Sequence, residues 1–247
     1  MKIAAIIPAR YSSTRFMGKP LAEIAGIPMI QRVYNQAAKC NEFSDIIVAT
    51  DDHRIAETVQ KFNGRVVMTS SHHNSGTERL WEVLEKSDFD AAVNVQGDEP
   101  IISEKLLSQL CIELKVGTYP VVTAYYYNTS YQDYLSRNVV KVVMDNSFNA
   151  LYFSRASIPS IPEAEFSGFY HHIGLYGYLK EAVRSFIEFS PSQLEKLEKL
   201  EQLRFLENRI PIKVIQSRYR ALGVDVPEDV QRIEKILKEE ELRKKDE

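Results

Sequence analysis

Along the first half of the chain, short apolar runs alternate with segments whose apolar residues recur at helical spacing. Short β-branched runs predict strands at residues 3–7, 45–49, 65–68, 91–95 and 121–126. Between them, apolar residues with helical spacing predict helices at residues 29–39, 54–62, 78–85 and 104–113. This alternation is typical of β-α-β units, in which right-handed crossovers place helices on both faces of a parallel sheet. The pattern predicts an α/β fold with a doubly wound, mostly parallel sheet, whose ligands bind beyond the carboxyl ends of the strands.

The alternation of predicted strands and helices ends near residue 138. Short strands are predicted at residues 138–144, 151–153 and 173–178, separated by an irregular segment, 158–167, that contains Pro159 and Pro162. No low-complexity linker or internal repeat interrupts the chain. We interpret residues 1–247 as a single domain with an insertion at about 138–190 that closes the site or forms a subunit interface.

Leucines define the predicted structure of the last quarter. Those at 194, 197, 200, 203 and 206 share one face of a single predicted helix, residues 192–207, which Pro191 precedes. A strand at 212–215 and a helix at 227–238 follow. The charged tail, residues 238–247, is expected to fray into solvent.

The charge balance, the cysteines and the lengths of the apolar runs exclude several classes of function and location. The 31 basic and 34 acidic side chains nearly balance, which argues against broad nucleic-acid binding and favours a small ligand. Cys40 and Cys111 lack the paired spacing of a metal site and are expected to be reduced, structural thiols. The apolar run at residues 3–8 is too short for a signal peptide, and no run approaches membrane-spanning length. A cytoplasmic protein is therefore expected.

A cluster of cations follows the first predicted strand. Arg10, Arg15 and Lys19 lie in a loop with the hydroxyls of Ser12 and Ser13, and no acid precedes this loop. Three cations at the end of a buried strand suit a bound phosphate chain, such as a nucleoside triphosphate. The spacing is not that of a Walker P-loop. A solvated basic loop without function is the alternative.

Two acids stand beside apolar segments. Asp98 follows the strand at 91–95, and Asp225 lies in a short apolar stretch near the C-terminus. Carboxylates at strand ends suit Mg²⁺, which keeps substrate phosphates in its coordination shell. Because two paired carboxylates repel each other without a cation, their pairing favours a divalent metal between them. Alternatively, Asp98 caps the helix near Ser103. Asp229, by contrast, is expected to belong to the helix start set by Pro227 and Glu228.

The segment 72–79 precedes a helix and offers a second polar site. Backbone donors at Ser75 and Gly76 suit a base or ribose, and Arg79 adds a cation. A helix cap without further function is the alternative. The adjacent histidines at 72–73 and 171–172 lack the spacing of zinc ligands.

A third group of polar residues interrupts apolar runs in the C-terminal half. Its members are Arg155, His172, Tyr176, Glu201 and Gln202. The planar fork of Arg155 suits a substrate carboxylate, which it can bind bidentately. On a strand, His172 and Tyr176 share one face. The alternative for each is a core polar group with all its hydrogen bonds made.

Together, these segments resemble the 3-deoxy-manno-octulosonate (Kdo) cytidylyltransferase family, also called CMP-Kdo synthetases. The resemblance covers nearly the whole chain. It rests on Ile7-Pro-Ala-Arg-Tyr, Gly18-Lys-Pro, Val48-Ala-Thr-Asp, Ser75-Gly-Thr-Glu-Arg, Asn94-Val-Gln-Gly-Asp-Glu-Pro, Ala150-Leu-Tyr-Phe-Ser-Arg, His172-Ile-Gly-Leu-Tyr-Gly, Leu200-Glu-Gln-Leu-Arg and Gly223-Val-Asp. Met17 departs from the proline usual in the family, but this change removes no charged group.

The resemblance implies a doubly wound nucleotidyltransferase sheet, a homodimer, and the reaction of CTP with Kdo to give CMP-Kdo and pyrophosphate. It implies catalytic roles for Lys19, Asp98 and Asp225, of which Asp98 and Asp225 hold Mg²⁺. The implied nucleotide-binding residues are Arg10, Ser12, Ser13, Arg15, Lys19, Ser75, Gly76, Arg79 and Gln96. The implied sugar-binding residues are Arg155, His172, Tyr176, Glu201 and Gln202.

Two rival functions stay open at this point. A cytidylyltransferase for 8-amino-Kdo or a sialic acid needs only a different sugar pocket. A catalytically silent nucleotide-binding regulator is the alternative from another class, and the presence of Lys19, Asp98 and Asp225 argues against it.

Overall fold

The structure is a computed structural model that describes residues 1–12, 15–220 and 222–243, with side chains in the last range only as far as residue 239. The chain divides into two compact units. Unit 1 comprises Met1–Ile3, Asp88–Val93 and Ser108–Arg220, and unit 2 comprises Ala4–Ser87, Asn94–Leu107 and Ala221–Glu247. The prediction of a single domain with an insertion at about 138–190 stays a prediction.

The secondary structure alternates strands and helices along the chain. The strands are β1 (Ile3–Ala9), β2 (Glu23–Ile24), β3 (Ile27–Pro28), β4 (Asp45–Thr50), β5 (Arg65–Met68), β6 (Ala91–Asn94), β7 (Val121–Asn128), β8 (Lys141–Met144), β9 (Ala150–Ser154), β10 (Phe169–Leu179) and β11 (Ile212–Gln216). The α-helices are α1 (Met29–Ala37), α2 (His53–Lys61), α3 (Gly76–Glu85), α4 (Glu104–Val116), α5 (Tyr131–Leu135), α6 (Lys180–Glu188), α7 (Gln193–Glu198), α8 (Leu203–Glu207) and α9 (Pro227–Arg243). Short 3₁₀ helices lie at Lys19–Leu21 and Glu163–Glu165.

Unit 2 is built on parallel strands. β1 pairs with β4, and β4 pairs with β5, both in parallel. β1 is buried along almost its whole length, as expected for a strand covered on both faces. Two of its helices begin at polar caps: Asp52 accepts from the backbone N–H of Arg54 at the start of α2, and Ser75 accepts from that of Glu78 at the start of α3.

Unit 1 contains a mixed set of strands. β11 pairs with β7 in parallel, whereas β10 pairs antiparallel with β7 and β8, and β8 pairs antiparallel with β9. The long strand β10 carries a register shift between Ile173 and Tyr176, where it runs beside β7. α6 buries Ala182, Val183 and Phe186 against this unit.

The structure confirms most of the predicted elements in the first half, with ends that shift by a few residues. The single helix predicted at 192–207 is wrong, because Lys199 adopts a left-handed conformation (φ 55°) that ends α7. As a result, Leu197 is 71% exposed although Leu200 and Leu203 are buried. The sequence analysis did not predict α5 or α6.

Near the C-terminus, α9 continues to Arg243, past the predicted end at residue 238. The rest of the tail, for which fraying was expected, lies outside the described residues. Among the helices that the structure describes, none is both long and apolar enough to cross a membrane.

Candidate active site

A tight turn in unit 2 presents the first cations. Gly18 has φ 70°, and its N–H donates to the carbonyl oxygen of Tyr11 at 2.9 Å. A Cβ at this glycine would lie 3.1 Å from the Tyr11 ring, so the turn favours glycine on both conformational and steric grounds. Lys19 follows at once as the first residue of a 3₁₀ helix. The turn therefore fixes where the lysine side chain begins.

The Lys19 ammonium brings the two predicted acids together. Its Nζ lies 2.6 Å from Asp98 Oδ2 and 3.7 Å from Asp225 Oδ1, and it donates to the carbonyl oxygen of Val224 at 3.0 Å. The Val224 N–H donates in turn to the carbonyl oxygen of Asp98 at 2.9 Å. Arg15 lies beside the second acid, with NH2 3.0 Å from Asp225 Oδ1. Four residues from three distant segments of the sequence thus form one charged cluster.

The donor set of this cluster fits Mg²⁺. The ion prefers oxygen ligands and usually takes one or two carboxylates in addition to substrate phosphates, which two aspartates satisfy. In the described part of the chain, no group of three or more His, Cys, Asp and Glu side chains is arranged to hold a metal alone. The sequence argument that two paired carboxylates require a metal is incomplete, because Lys19 and Arg15 already place cations beside them.

Helix starts and strand ends surround this cluster. Asp229 Oδ2 accepts from the backbone N–H of Asp225 at 2.8 Å and of Val226 at 3.2 Å, so it holds the start of α9, as the sequence indicated. The Asp98 side chain interacts with Lys19 rather than with the helix near Ser103. The cap alternative for Asp98 therefore does not describe its carboxylate.

Two arginines in unit 2 have buried nitrogens that make no hydrogen bond within the described residues. Arg79 is fully buried; its NH1 donates to Thr69 Oγ1, and its NH2 lies 3.3 Å from Asp51 Oδ2. Burial lowers the pKa of Arg79, with Asp51 opposing this effect and Arg10 adding to it. Arg10 NH2 and Arg79 Nε and NH2 are buried and make no hydrogen bond to any residue described. Arg79 NH2 already faces the Asp51 carboxylate. Because an unmet buried donor is costly, the other two nitrogens, Arg10 NH2 and Arg79 Nε, point to an anionic ligand.

For the other predicted nucleotide-binding residues, the structure shows a helix cap, a packing contact or a burial class. Ser75 uses its hydroxyl to cap α3, as the structural alternative proposed. Gly76 lies against Pro8 and Asn94, where an added Cβ would meet atoms at 3.6 and 3.7 Å. Gln96 is half-buried just beyond the end of β6, and Ser12 is exposed. Ser13 lies outside the described residues.

Glu99 is a titratable neighbour that the sequence analysis missed. Burial, and after it the charge of Asp98, raises the pKa of Glu99 to about 8. Its position next to Asp98 in the segment 94–100 was the available signal, but sequence position does not reveal burial.

The predicted sugar residues of unit 1 begin with a buried pair on β10. Tyr176 Oη and Thr123 Oγ1 lie 2.9 and 3.0 Å from His172 Nε2. Burial, and after it His171, lowers the pKa of His172 to about 3, and burial raises the pKa of Tyr176. Both side chains are therefore neutral at physiological pH, so they can make hydrogen bonds but supply no charge.

Glu201 and Gln202 follow the break between α7 and α8. Glu201 is near enough to Tyr176 for its charge to contribute to the raised pKa of that hydroxyl. The Tyr178 ring stacks on Phe205 of α8 with centroids 5.7 Å apart, which holds this region against β10. Gln202 is 7% exposed, and its Nε2 makes no hydrogen bond within the described residues. This unused amide is a donor for a ligand.

Arg155 lies just past the end of β9. Its Nε donates to the carbonyl oxygen of Glu198 at 3.0 Å and its NH1 to that of Arg137 at 3.1 Å. The guanidinium is therefore held through two of its three nitrogens, which leaves NH2 and the second hydrogen of NH1 as an end-on fork. This is still the geometry that a carboxylate needs.

Comparison with known proteins identifies the family. A family model described as Cytidylyltransferase matches residues 4–215. A 3-deoxy-manno-octulosonate cytidylyltransferase of Geobacter metallireducens is 46% identical over 245 residues, covering 94% of this chain and 96% of the relative. One from Geotalea uraniireducens is 46% identical over 250 residues, covering 96% and 100%.

Solved structures agree with this assignment. A CMP:2-keto-3-deoxy-manno-octonic acid synthetase complexed with CTP superposes with a TM-score of 0.93 at 36% identity, covering 97% of this chain and all of the other. A 4-diphosphocytidyl-2C-methyl-D-erythritol synthase of Anaerococcus prevotii, at 17% identity and a TM-score of 0.64, shares the fold. The predicted α/β nucleotidyltransferase fold is confirmed, and the chain belongs to the 3-deoxy-manno-octulosonate cytidylyltransferase family.

Proposed function

We propose that this protein transfers CMP from CTP to the anomeric hydroxyl of Kdo, giving CMP-Kdo and pyrophosphate. The product is an activated nucleotide sugar for lipopolysaccharide biosynthesis. The observation that carries the proposal is the cluster of Lys19, Arg15, Asp98 and Asp225 in a chain of this family. A binding protein without activity would not need two acids and two cations at one point.

The triphosphate of CTP would lie in unit 2. Arg10, Arg15 and Lys19 together neutralise about three of its roughly four charges, and Arg10 has a buried nitrogen that makes no hydrogen bond within the described part of the chain. Hydrogen bonds to charged groups contribute about 1.5 to 3 kcal/mol each, so several of them suffice for micromolar binding. The remaining proposed nucleotide contacts are Ser12, Ser13, Ser75, Gly76, Arg79 and Gln96.

Asp98 and Asp225 would hold Mg²⁺. When bound, the ion neutralises phosphate charge and stabilises the leaving pyrophosphate. The side chains of this chain supply the remainder: Lys19 and Arg15 keep the two carboxylates together and stabilise charge that develops on the phosphate oxygens. Catalysis then rests on orientation and charge rather than on a covalent intermediate.

The acid sugar would bind in unit 1. Since His172 and Tyr176 are neutral, the charge that recognises the sugar carboxylate comes from Arg155. The unused amide of Gln202 and the carboxylate of Glu201 suit sugar hydroxyls, which both donate and accept hydrogen bonds. The sugar's anomeric hydroxyl attacks the α-phosphorus of CTP, in line with the departing pyrophosphate.

We further propose a homodimer. Exposed apolar side chains on unit 1 support it: Tyr127 is 46%, Tyr170 39% and Leu151 61% exposed. Tyr127 and Tyr170 are neighbours across β7 and β10, and adjacent exposed apolar side chains commonly mark protein interfaces. A cytoplasmic site of action stays a prediction, which the buried thiols of Cys40 and Cys111, not joined in a disulfide, support.

The test is pyrophosphate release from CTP and Mg²⁺ with Kdo, with 8-amino-Kdo and with a sialic acid, using UTP as the base control. We expect rapid release only with CTP and Kdo. Pyrophosphate release with another sugar but not with Kdo would support CMP transfer from CTP and contradict Kdo as the acceptor. No pyrophosphate release with any of the sugars would favour the alternative of a nucleotide-binding protein without catalytic activity.

A further inference from the structure

The break between α7 and α8 lies beside the predicted carboxylate-binding arginine. α7 ends at Glu198, and Lys199 turns the chain out of the helix with φ 55°. At this end of a helix the last carbonyl oxygens have no helical donor. The carbonyl oxygen of Glu198 instead accepts from Arg155 Nε at 3.0 Å. A continuous helix would have used this carbonyl for its own next turn.

The side chain of Glu198 contacts the same arginine from a second direction. Its Oε2 accepts from the backbone N–H of Arg155 at 2.9 Å. Its Oε1 accepts from Ser154 Oγ at 2.6 Å and from Tyr152 Oη at 3.4 Å. Burial, and after it the charge of Glu198, raises the pKa of Tyr152, so its hydroxyl stays a donor. One glutamate thus ties the end of β9 to the helix break.

Two further contacts complete the support of Arg155. Its NH1 donates to the carbonyl oxygen of Arg137 at 3.1 Å, and its own carbonyl oxygen accepts from the buried Lys141 Nζ at 3.1 Å. NH2 donates to no residue that the structure describes. The guanidinium is therefore anchored through Nε and NH1, and NH2 remains for a ligand.

We propose that Glu198 is a positioning residue that fixes the Arg155 fork for the sugar carboxylate and so sets the preference for an acid sugar. This inference rests on the proposed function, in which Arg155 binds that carboxylate. Glu198 would not touch the sugar; it would act through Arg155 alone. A fork held in one orientation loses less conformational entropy on binding than a free side chain.

The experiment measures the KM values for Kdo and CTP in the variants E198A and E198Q. We expect E198A to raise the KM for Kdo about tenfold and to change the KM for CTP less than twofold, because it removes two acceptors near Arg155. E198Q keeps one oxygen acceptor, so its change should be smaller. The matched control is E188Q, an exposed glutamate on α6 that should change neither constant.

A double-mutant cycle with R155A separates positioning from a general structural role. If Glu198 acts through Arg155, then E198A adds little to the rise in KM for Kdo once Arg155 is absent. If E198A does not yield folded protein, the same cycle is measured with E198Q.

Three results would overturn the inference. The first is an equal rise of the KM for Kdo and the KM for CTP in E198A. The second is a double variant whose rise in the KM for Kdo equals the product of the rises in E198A and R155A. The third is an unchanged KM for Kdo in R155A, which would remove the arginine from the sugar site but leave the reaction standing. If the unaltered protein released no pyrophosphate from CTP and Kdo, the proposed function would fail together with the inference.

Discussion

Gly97 offers a sharp test of how the strand ends form the candidate site. A Cβ built at this position would lie 2.9 Å from the carbonyl oxygen of Pro8, which is closer than real Cβ contacts. The obstacle is backbone, not the end of a flexible side chain, so it cannot rotate away. Gly97 directly precedes Asp98, and Pro8 lies two residues before Arg10. The change Gly97→Ala must therefore separate the two segments that carry these site residues.

The size of the effect follows from that contact. An added methyl group in a tightly packed region typically costs about 1 to 3 kcal/mol. For a chain of 247 residues this corresponds to a fall in melting temperature of about 3 to 10 °C. A displacement of 1 Å can cost about a hundredfold in rate, so a shift of a few tenths of an ångström should lower kcat/KM roughly tenfold.

The assay pairs thermal unfolding with initial rates of pyrophosphate release from CTP and Kdo. Gly223→Ala is the matched control, because Gly223 likewise lies shortly before a site acid, Asp225. Its added Cβ would meet only the carbonyl oxygen of Asp98, at an ordinary 3.7 Å. We expect Gly223→Ala to change the melting temperature by less than about 2 °C. Equal behaviour of both variants, or an unperturbed Gly97→Ala, would refute the reasoning.

Three further predictions follow from single contacts. Asp98→Asn should lower turnover at saturating Mg²⁺ by about a hundredfold; near-normal rates would remove Asp98 from the metal site. Lys199→Gly should stabilise by about 1 kcal/mol in urea denaturation, because it relieves a left-handed conformation, whereas Lys196→Gly within α7 should destabilise. The backbone N–H of Ser70, foremost among several groups, lowers the pKa of Glu82 from 4.5 to about 2. The ionised carboxylate therefore stabilises the folded state fully above pH 4.5, and this stabilisation is lost as the pH falls toward 2. The stability gap between the unaltered protein and Glu82→Gln should close across that window; a constant gap would contradict the assignment.

The sequence predicted the strands of unit 2 well because their signal is local. Buried parallel strands read as unbroken apolar runs, and β1 and β4 are runs of this kind. The antiparallel strands of unit 1 were also found, but β10 proved much longer than predicted, because its polar half carries His171 and His172. Polar residues inside a strand weaken the pattern on which such predictions depend.

The helix break at Lys199 could not be predicted from periodicity. The leucine spacing continues across the break, and only the left-handed backbone at a non-glycine residue interrupts the helix. Sequence rules expect glycine or asparagine at such a position, so lysine gave no signal. The break positions Glu198, and local rules often fail where a site imposes its own geometry.

Candidate site residues could be named from the sequence, but their partners could not. Lys19 was assigned to phosphate because a cation near a strand end suggests an anionic ligand, and its contacts with Asp98 and Asp225 became visible only in the fold. The same holds for Asp51, whose pairing with the buried Arg79 depends on the end of β4 meeting helix α3. Contacts between residues far apart in sequence carry no local signature.

The most direct test of the central claim is identification of the products from CTP, Kdo and Mg²⁺ by ³¹P NMR and mass spectrometry. We predict equal amounts of pyrophosphate and a CMP phosphodiester of Kdo, with both absent when Kdo is omitted. Formation of free CMP, of CDP with inorganic phosphate, or of no product would contradict transfer of CMP to the sugar.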